Sequence, residues 1–223
     1  MHVVHKAKPL TKGEQVSALE VRWRKLWLKT DLSIVDACFK VLRDLYCGPD
    51  RHYHDFEHIY ESLRTLDHYM SLAENPRAIE AAIWFHDAIY DTHAADNEER
   101  SADLAGQWLN KLGEPAAFIL LVRKRIMATK HDKVLEGNHL TDEQLTADID
   151  LTPLGYKAGE FDRLGDCIRR EHHWVKEDDY KKRNTRRLRA FLARRTIYYS
   201  PNFRMNFERP ARKNLLRAIV KSQ

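Results

Sequence analysis

Glycine and proline are scarce, 8 and 7 in 223 residues, too few for a chain built of many short strands and tight turns. No stretch approaches the roughly 18 consecutive apolar residues of a membrane span. The opening MHVVHKAKPLTKGEQ also lacks the apolar core of a secretory signal, so the chain is expected to be cytoplasmic with no membrane partner. Cysteine is limited to Cys38, Cys47 and Cys167, an odd number without CxxC spacing. That excludes a disulfide framework and a zinc knuckle, and predicts reduced thiols that fill the core. No alternating strand pattern exceeds the helical one, and there is no internal repeat, low-complexity tract or Gly/Ser/Pro linker.

What is present favours a folded helical protein. Hydrophobic residues make up 43% and aromatics 10% of the chain, enough to bury a full core, and interspersed acids and bases argue against disorder. The net charge of +5 hides an asymmetry, because residues 161–223 hold 18 Lys and Arg against 7 Asp and Glu while the first 160 residues are net acidic. A basic segment of this kind attracts phosphate, nucleic acid or an acidic surface, although its ordinary role is a solvated helix face.

The periodicity predicts successive helices. Thr11 and Glu14 form a capping box before Val16, Leu19, Trp23, Leu26 and Trp27. A second helix runs through Val35, Cys38, Phe39 and Leu42 and stops at Gly48-Pro49. Asp55 is the expected N-cap of a third, with Ile59, Leu63 and Leu66 on its buried stripe. Asn75-Pro76 opens a fourth, nearly all-apolar and therefore central helix that leads to His86-Asp87. A polar stretch over 91–97 precedes a helix through Trp108 and Leu112 that ends at Gly113; Pro115 opens the next, followed by a loop over 131–140. Beyond residue 147 helices are expected over 156–175, 180–195 and 208–220. Trp84 and Trp108 are read as core. The whole is read as one all-α domain over 1–223, with a core of about 10–160 and a basic helical extension of about 161–223 packed on it.

The chemistry-bearing residues are His58, the adjacent His86-Asp87, and Asp150. Two imidazoles and two carboxylates suit a divalent ion such as Mn, Fe, Ni, Zn or Mg. Four protein ligands leave room for water, whose pKa such an ion lowers toward neutrality, which is hydrolytic chemistry. A buried carboxylate beside an imidazole also needs a partner, and a metal is an economical one.

This ordered pattern resembles the HD superfamily of metal-dependent phosphohydrolases, and more closely a bacterial subgroup of small predicted HD phosphohydrolases. The shared text is RHYHDFEHI at 51–59, WFHDAIYD at 84–91, DNEERSA at 96–102, ADIDLTPLG at 147–155 and ERPARKNL at 208–215. The resemblance implies a single helical HD-type domain and metal ligands His58, His86, Asp87 and Asp150, with Asp148 the nearest rival for the last. It implies hydrolysis of a phosphomonoester, phosphodiester or pyrophosphate in a small phosphorylated molecule of nucleotide type. Asp91 would orient the attacking water, as a matching acid does in the related (p)ppGpp hydrolases, which have Glu-Asp where this chain has Tyr90-Asp91. Glu98 is a second candidate acid, whose ordinary role would be to stabilise a helix N-terminus. Arg51, Lys130 and His131 could supply cations to phosphate oxygens, and His131 could instead be a further ligand.

Two other readings compete. His54-Asp55-Phe56-Glu57-His58 matches the inverted zinc-peptidase motif H-x-x-E-H, which requires both histidines on one helical face. An inactive scaffold could instead bind nucleic acid through Lys181-Lys182-Arg183 and Arg186-Arg187-Leu188-Arg189, with Tyr198, Tyr199 and Phe203 available for base stacking.

Overall fold

In the computed structural model, which describes residues 11–137 and 139–222, the Thr11 capping box is in place and opens α1, Lys12–Leu26. The signal reading of the N-terminus rests on residues 1–15, of which 1–10 lie outside the described residues. The chain continues through α2 (Leu32–Tyr46), α3 (Phe56–Tyr69), α4 (Pro76–Phe85), α5 (Asn97–Lys111), α6 (Ala116–Ala128) and α7 (Asp142–Asp150). It ends with α8 (Ala158–Glu171), α9 (Glu177–Ala193), the single turn α10 (Pro201–Phe203) and α11 (Arg209–Lys221). There is no strand among the described residues, and none of their helices is long and apolar enough to cross a membrane.

The apolar α4 is central, as its composition requires. Its residues from Ala78 to Phe85 are buried with the sole exception of Glu80, and it packs against α3, α5, α6 and α7. Trp84 joins an edge-to-face aromatic cluster with Trp23 and Phe39, at centroid separations of 5.3 and 6.2 Å. The Trp23 indole N–H donates to the Val35 carbonyl at 2.9 Å, so its one polar atom is satisfied inside the core. A buried ion pair joins the remaining layers. The Arg125 guanidinium on α6 meets the Asp142 carboxylate on α7 at 2.6 Å, and Asp142 also accepts the amides of Glu74 and Asn75 at 2.9 Å each. Of the three free thiols only Cys38 fills the core. Cys47, the C-cap residue of α2, is exposed, and Cys167 is half-buried, because each lies off its helix's apolar face.

The C-terminal helices depart from the expected boundaries for local reasons. α8 is shorter than 156–175: a 3₁₀ turn over Thr152–Gly155 precedes it, and Arg169 ends it by donating to the carbonyls of His172 and Val175. α9 begins earlier, where Glu177, Asp178 and Asp179 place negative charge at its N-terminus. α11 is continued backwards by α10 and a π-helical turn over Arg204–Glu208. In the 208–215 segment, the Glu208 carboxylate accepts the amides of Ile197 and Tyr198, and Asn214 donates to the carbonyls of Leu154 and Tyr156. That segment therefore organises the chain just after α7. Gly155 belongs to the same joint, since a Cβ there would lie 2.7 Å from Phe207 Cβ.

Candidate metal centre

Three helix ends converge on one point. Asp55 caps α3 by accepting the amides of Glu57 and His58, which places His58 in the first turn. His86 is the C-cap residue of α4, so Asp87 follows it where the chain leaves the helix. Asp150 is the last residue of α7. Their donor atoms face one another: His58 Nε2 lies 3.1 Å from His86 Nε2, 3.2 Å from Asp150 Oδ1 and 3.6 Å from Asp87 Oδ2. His86 Nε2 lies 3.0 Å from Asp87 Oδ2 and 3.4 Å from Asp150 Oδ1.

These separations test whether a metal fits. Two ligand atoms held at about 2.1 Å from one ion are about 3.0 Å apart at right angles and about 3.4 Å apart at the tetrahedral angle. Four of the five distances fall in that range, and the His58–Asp87 separation, 3.6 Å, lies just beyond it. The donor chemistry agrees, because the His86 Nδ1 proton is committed to the Ile83 carbonyl at 2.9 Å, which leaves a neutral ring's Nε2 lone pair facing the cluster. The two carboxylates bring two negative charges that a divalent ion would cancel. Both imidazoles are buried, whereas the Asp87 and Asp150 side chains are 16% and 19% exposed, so the cluster opens on its carboxylate side.

Electrostatics show how tightly these groups interact. Burial pushes the Asp87 carboxyl up, but the imidazoles of His86, His54 and His58 outweigh it and hold the group below the usual carboxylate range. Asp150 is likewise held well below it, against burial, by hydrogen bonds to His131, His58 and His86. Burial depresses His86, and the two carboxylates reverse this and raise it well above its ordinary value.

Among the predicted site residues, His58, His86, Asp87 and Asp150 are brought together, and Asp148 is separated from them. Its carboxylate is fully buried and accepts the amides of Tyr199 and Ser200 at 2.8 and 2.7 Å, an anchor for the chain after α9. Asp148→Ala is expected to cost about 2 kcal/mol through the two stranded amides and to leave metal content unchanged. Denaturation and elemental analysis would check this, and metal loss equal to that of Asp150→Ala would make Asp148 a ligand.

His131 also reaches the cluster, its Nε2 lying 2.7 Å from Asp150 Oδ2. It adopts a left-handed backbone, φ +54°, held by Asp150 at its ring and by Arg194, which donates to its carbonyl at 2.6 Å. Glu98 is half-buried on α5, and its carboxyl is raised by burial and then by the charge of Asp87.

Three expectations need correction in place. Asp91 is exposed, with its carboxylate accepting the His93 amide within its own loop. Arg51 does not offer its fork to phosphate: it donates to the carbonyls of His54, Asp87 and Ala88 at 2.9, 2.7 and 2.8 Å, pinning the His86-Asp87 turn to the loop before α3. Lys130 pairs with Glu99 and reaches the Ala95 carbonyl.

Sequence reading missed Glu171. Its buried carboxylate accepts the amides of His52, Tyr53 and His54 at 2.8, 2.7 and 2.9 Å and lies 2.7 Å from His54 Nδ1. That clamp holds His54 outside α3, with its ring 6.2 Å from that of His58, so the two histidines of the peptidase motif do not share a helical face. The stacking aromatics proposed for nucleic acid are also taken: Tyr198 and Phe203 are fully buried, and the Tyr199 hydroxyl accepts the Leu135 amide.

No family model, curated protein or solved structure matches the chain.

Proposed function

We propose that this protein is a metal-dependent phosphohydrolase that cleaves a phosphate ester or anhydride in a small molecule of nucleotide type. The observation that supports it best is the convergence of two imidazole nitrogens and two carboxylate oxygens, each nitrogen lying 3.0–3.6 Å from the other three atoms and all four within 4.8 Å of one another. A divalent ion held by His58, His86, Asp87 and Asp150 would supply Lewis-acid polarisation of a phosphoryl oxygen and a water of lowered pKa.

The chain's own groups divide the remaining work. The Ile83 carbonyl fixes the tautomer of His86, and Arg51 fixes the backbone at Asp87 and Ala88. His131 orients Asp150 through Oδ2, leaving Oδ1 to face the imidazoles. Glu98, half-buried on α5 and near enough to Asp87 to feel its charge, is the acid assigned to take the proton from the attacking water. Asp91, turned into its own loop, is not.

A panel of p-nitrophenyl phosphate, bis(p-nitrophenyl) phosphate and nucleoside mono- and diphosphates tests the reading. Turnover should require the metal, disappear on chelation and return with Mn. Glu98→Gln should lower kcat by about 10²- to 10⁴-fold with KM and metal content unchanged, while Asp91→Asn stays close to wild type. Metal-loaded protein that cleaves no member of the panel would overturn the proposal.

A further inference from the structure

α9 carries six Lys and Arg side chains, yet their surroundings are not equivalent. Lys181, Lys182, Arg183, Arg186, Arg187 and Arg189 are all exposed, and they differ in what lies beside them. Arg187, Phe191 and Arg194 follow at intervals of four and three and so share one side of the helix path. That side meets the metal centre. Phe191 is buried with its ring 6.0 Å from that of His131. Arg194 lies 4.6 Å over the Phe191 ring, donates to the His131 carbonyl, and carries a buried Nη1 without a protein acceptor.

One turn before Phe191, Arg187 lines a cavity of about 470 Å³ between α8, α9 and α11. Tyr53 forms part of the same wall, and its ring is 5.0 Å from that of the ligand His58. The Tyr53 ring is therefore the wall between this cavity and the centre. Among the described residues Arg187 has no carboxylate partner, and its hydrogen bond to Asn184 Oδ1 is long, 3.4 Å. Neighbouring arginines are occupied: Arg51 by three carbonyls, and Arg169 by Glu177 and two carbonyls. The charge of Arg187 nevertheless reaches Tyr53, Tyr90 and His172, groups from separate segments around the centre.

An exposed guanidinium without an anion, lining a cavity whose Tyr53 wall backs onto His58, has the donor fork to take two phosphate oxygens at once. The cavity offers apolar surface from Phe161, Ile168 and Leu188, the ring of Tyr180 and the amide of Asn184. Its volume suits an aromatic heterocycle with an attached sugar. The geometry points to Arg187 as the residue that binds the substrate phosphate, and to the α8–α9–α11 cavity as the receptor of the nucleoside; this rests on the phosphohydrolase reading.

Calorimetry on Mn-reconstituted full-length protein, with inorganic phosphate and adenosine 5′-monophosphate as probes, tests the assignment without turnover. Arg187→Ala should weaken phosphate binding at least about tenfold, with metal content unchanged. Arg186→Ala, the same loss of charge on the outer face, should change it by less than about twofold. Arg187→Gln serves the same purpose should the alanine variant fail to hold metal. Tyr180→Ala should weaken the nucleotide several-fold and leave phosphate unaffected.

Phosphate binding by Arg187→Ala at wild-type strength, or equal weakening in the Arg186 and Arg187 variants, overturns the role of Arg187. A nucleotide bound no more tightly than phosphate by wild type overturns the role of the cavity. Absence of phosphate binding in metal-loaded wild type strikes at the phosphohydrolase reading itself and takes the assignment with it.

Discussion

Asp87→Ala and His86→Ala, purified and reconstituted with Mn alongside wild type, are each expected to lose the bound metal that wild type retains at about one equivalent. His86 Nε2 and Asp87 Oδ2 lie 3.0 Å apart and both face His58, so neither can be removed without opening the ligand set. A metal's charge supplies several kcal/mol at a phosphoryl transition state, and each 1.4 kcal/mol is about tenfold in rate. Turnover should therefore fall on the order of 10³-fold or more in both variants. Elemental analysis reads the first effect and the phosphate panel the second. Equal metal in all three proteins would show that the cluster is not the binding site, whatever the activity.

Glu171→Gln should produce the largest change in stability outside the core, and one that depends on pH. Burial raises this carboxyl, but the His54 ring and the amides of Tyr53 and His54 outweigh it and bring the pKa from 4.5 to about 2. A carboxylate whose pKa is depressed by folding stabilises the native state above its unfolded value and loses that contribution as the pH falls through its folded value. The gap is worth on the order of 3 kcal/mol at neutral pH. The variant should thus be less stable than wild type by about that amount at pH 7, with the difference shrinking steadily from about pH 4.5 to pH 2. Urea denaturation of both proteins in chelator isolates the effect from metal binding. A difference that is the same at pH 3 and pH 7 would mean that the clamp acts by shape and not by charge.

The elements were legible wherever the controlling interactions are local. Thr11, Asp55 and Pro76 act within one turn of the helices they open, and α4 announces its central place by composition alone. The cluster of His58, His86, Asp87 and Asp150 was legible from the order of its residues, and helical geometry separates Asp148 from Asp150, since side chains two apart on a helix point to different sides. What stayed hidden depends on partners far away in the chain. Nothing near Glu171 signals that it holds residues 52–54, and nothing near Arg51 signals that carbonyls beyond His86 occupy its fork. The left-handed backbone of His131 had no glycine or asparagine to betray it. The charge of the C-terminal helices was visible, but only the packing of Phe191 against His131 shows which side of α9 meets the centre.

The Glu171 clamp also bears on how the protein is made. His58, His86, Asp87 and Asp150 all emerge from the ribosome before the residue that fixes the loop ahead of α3, which follows that loop by 117 to 119 positions. Tyr199 and Ser200, which dock on Asp148, come later still. A nascent or prematurely ended chain would carry every ligand without the restraints that set their spacing, and would bind ions more weakly than the finished protein. Under the proposed function, metal loading is then tied to completion of synthesis.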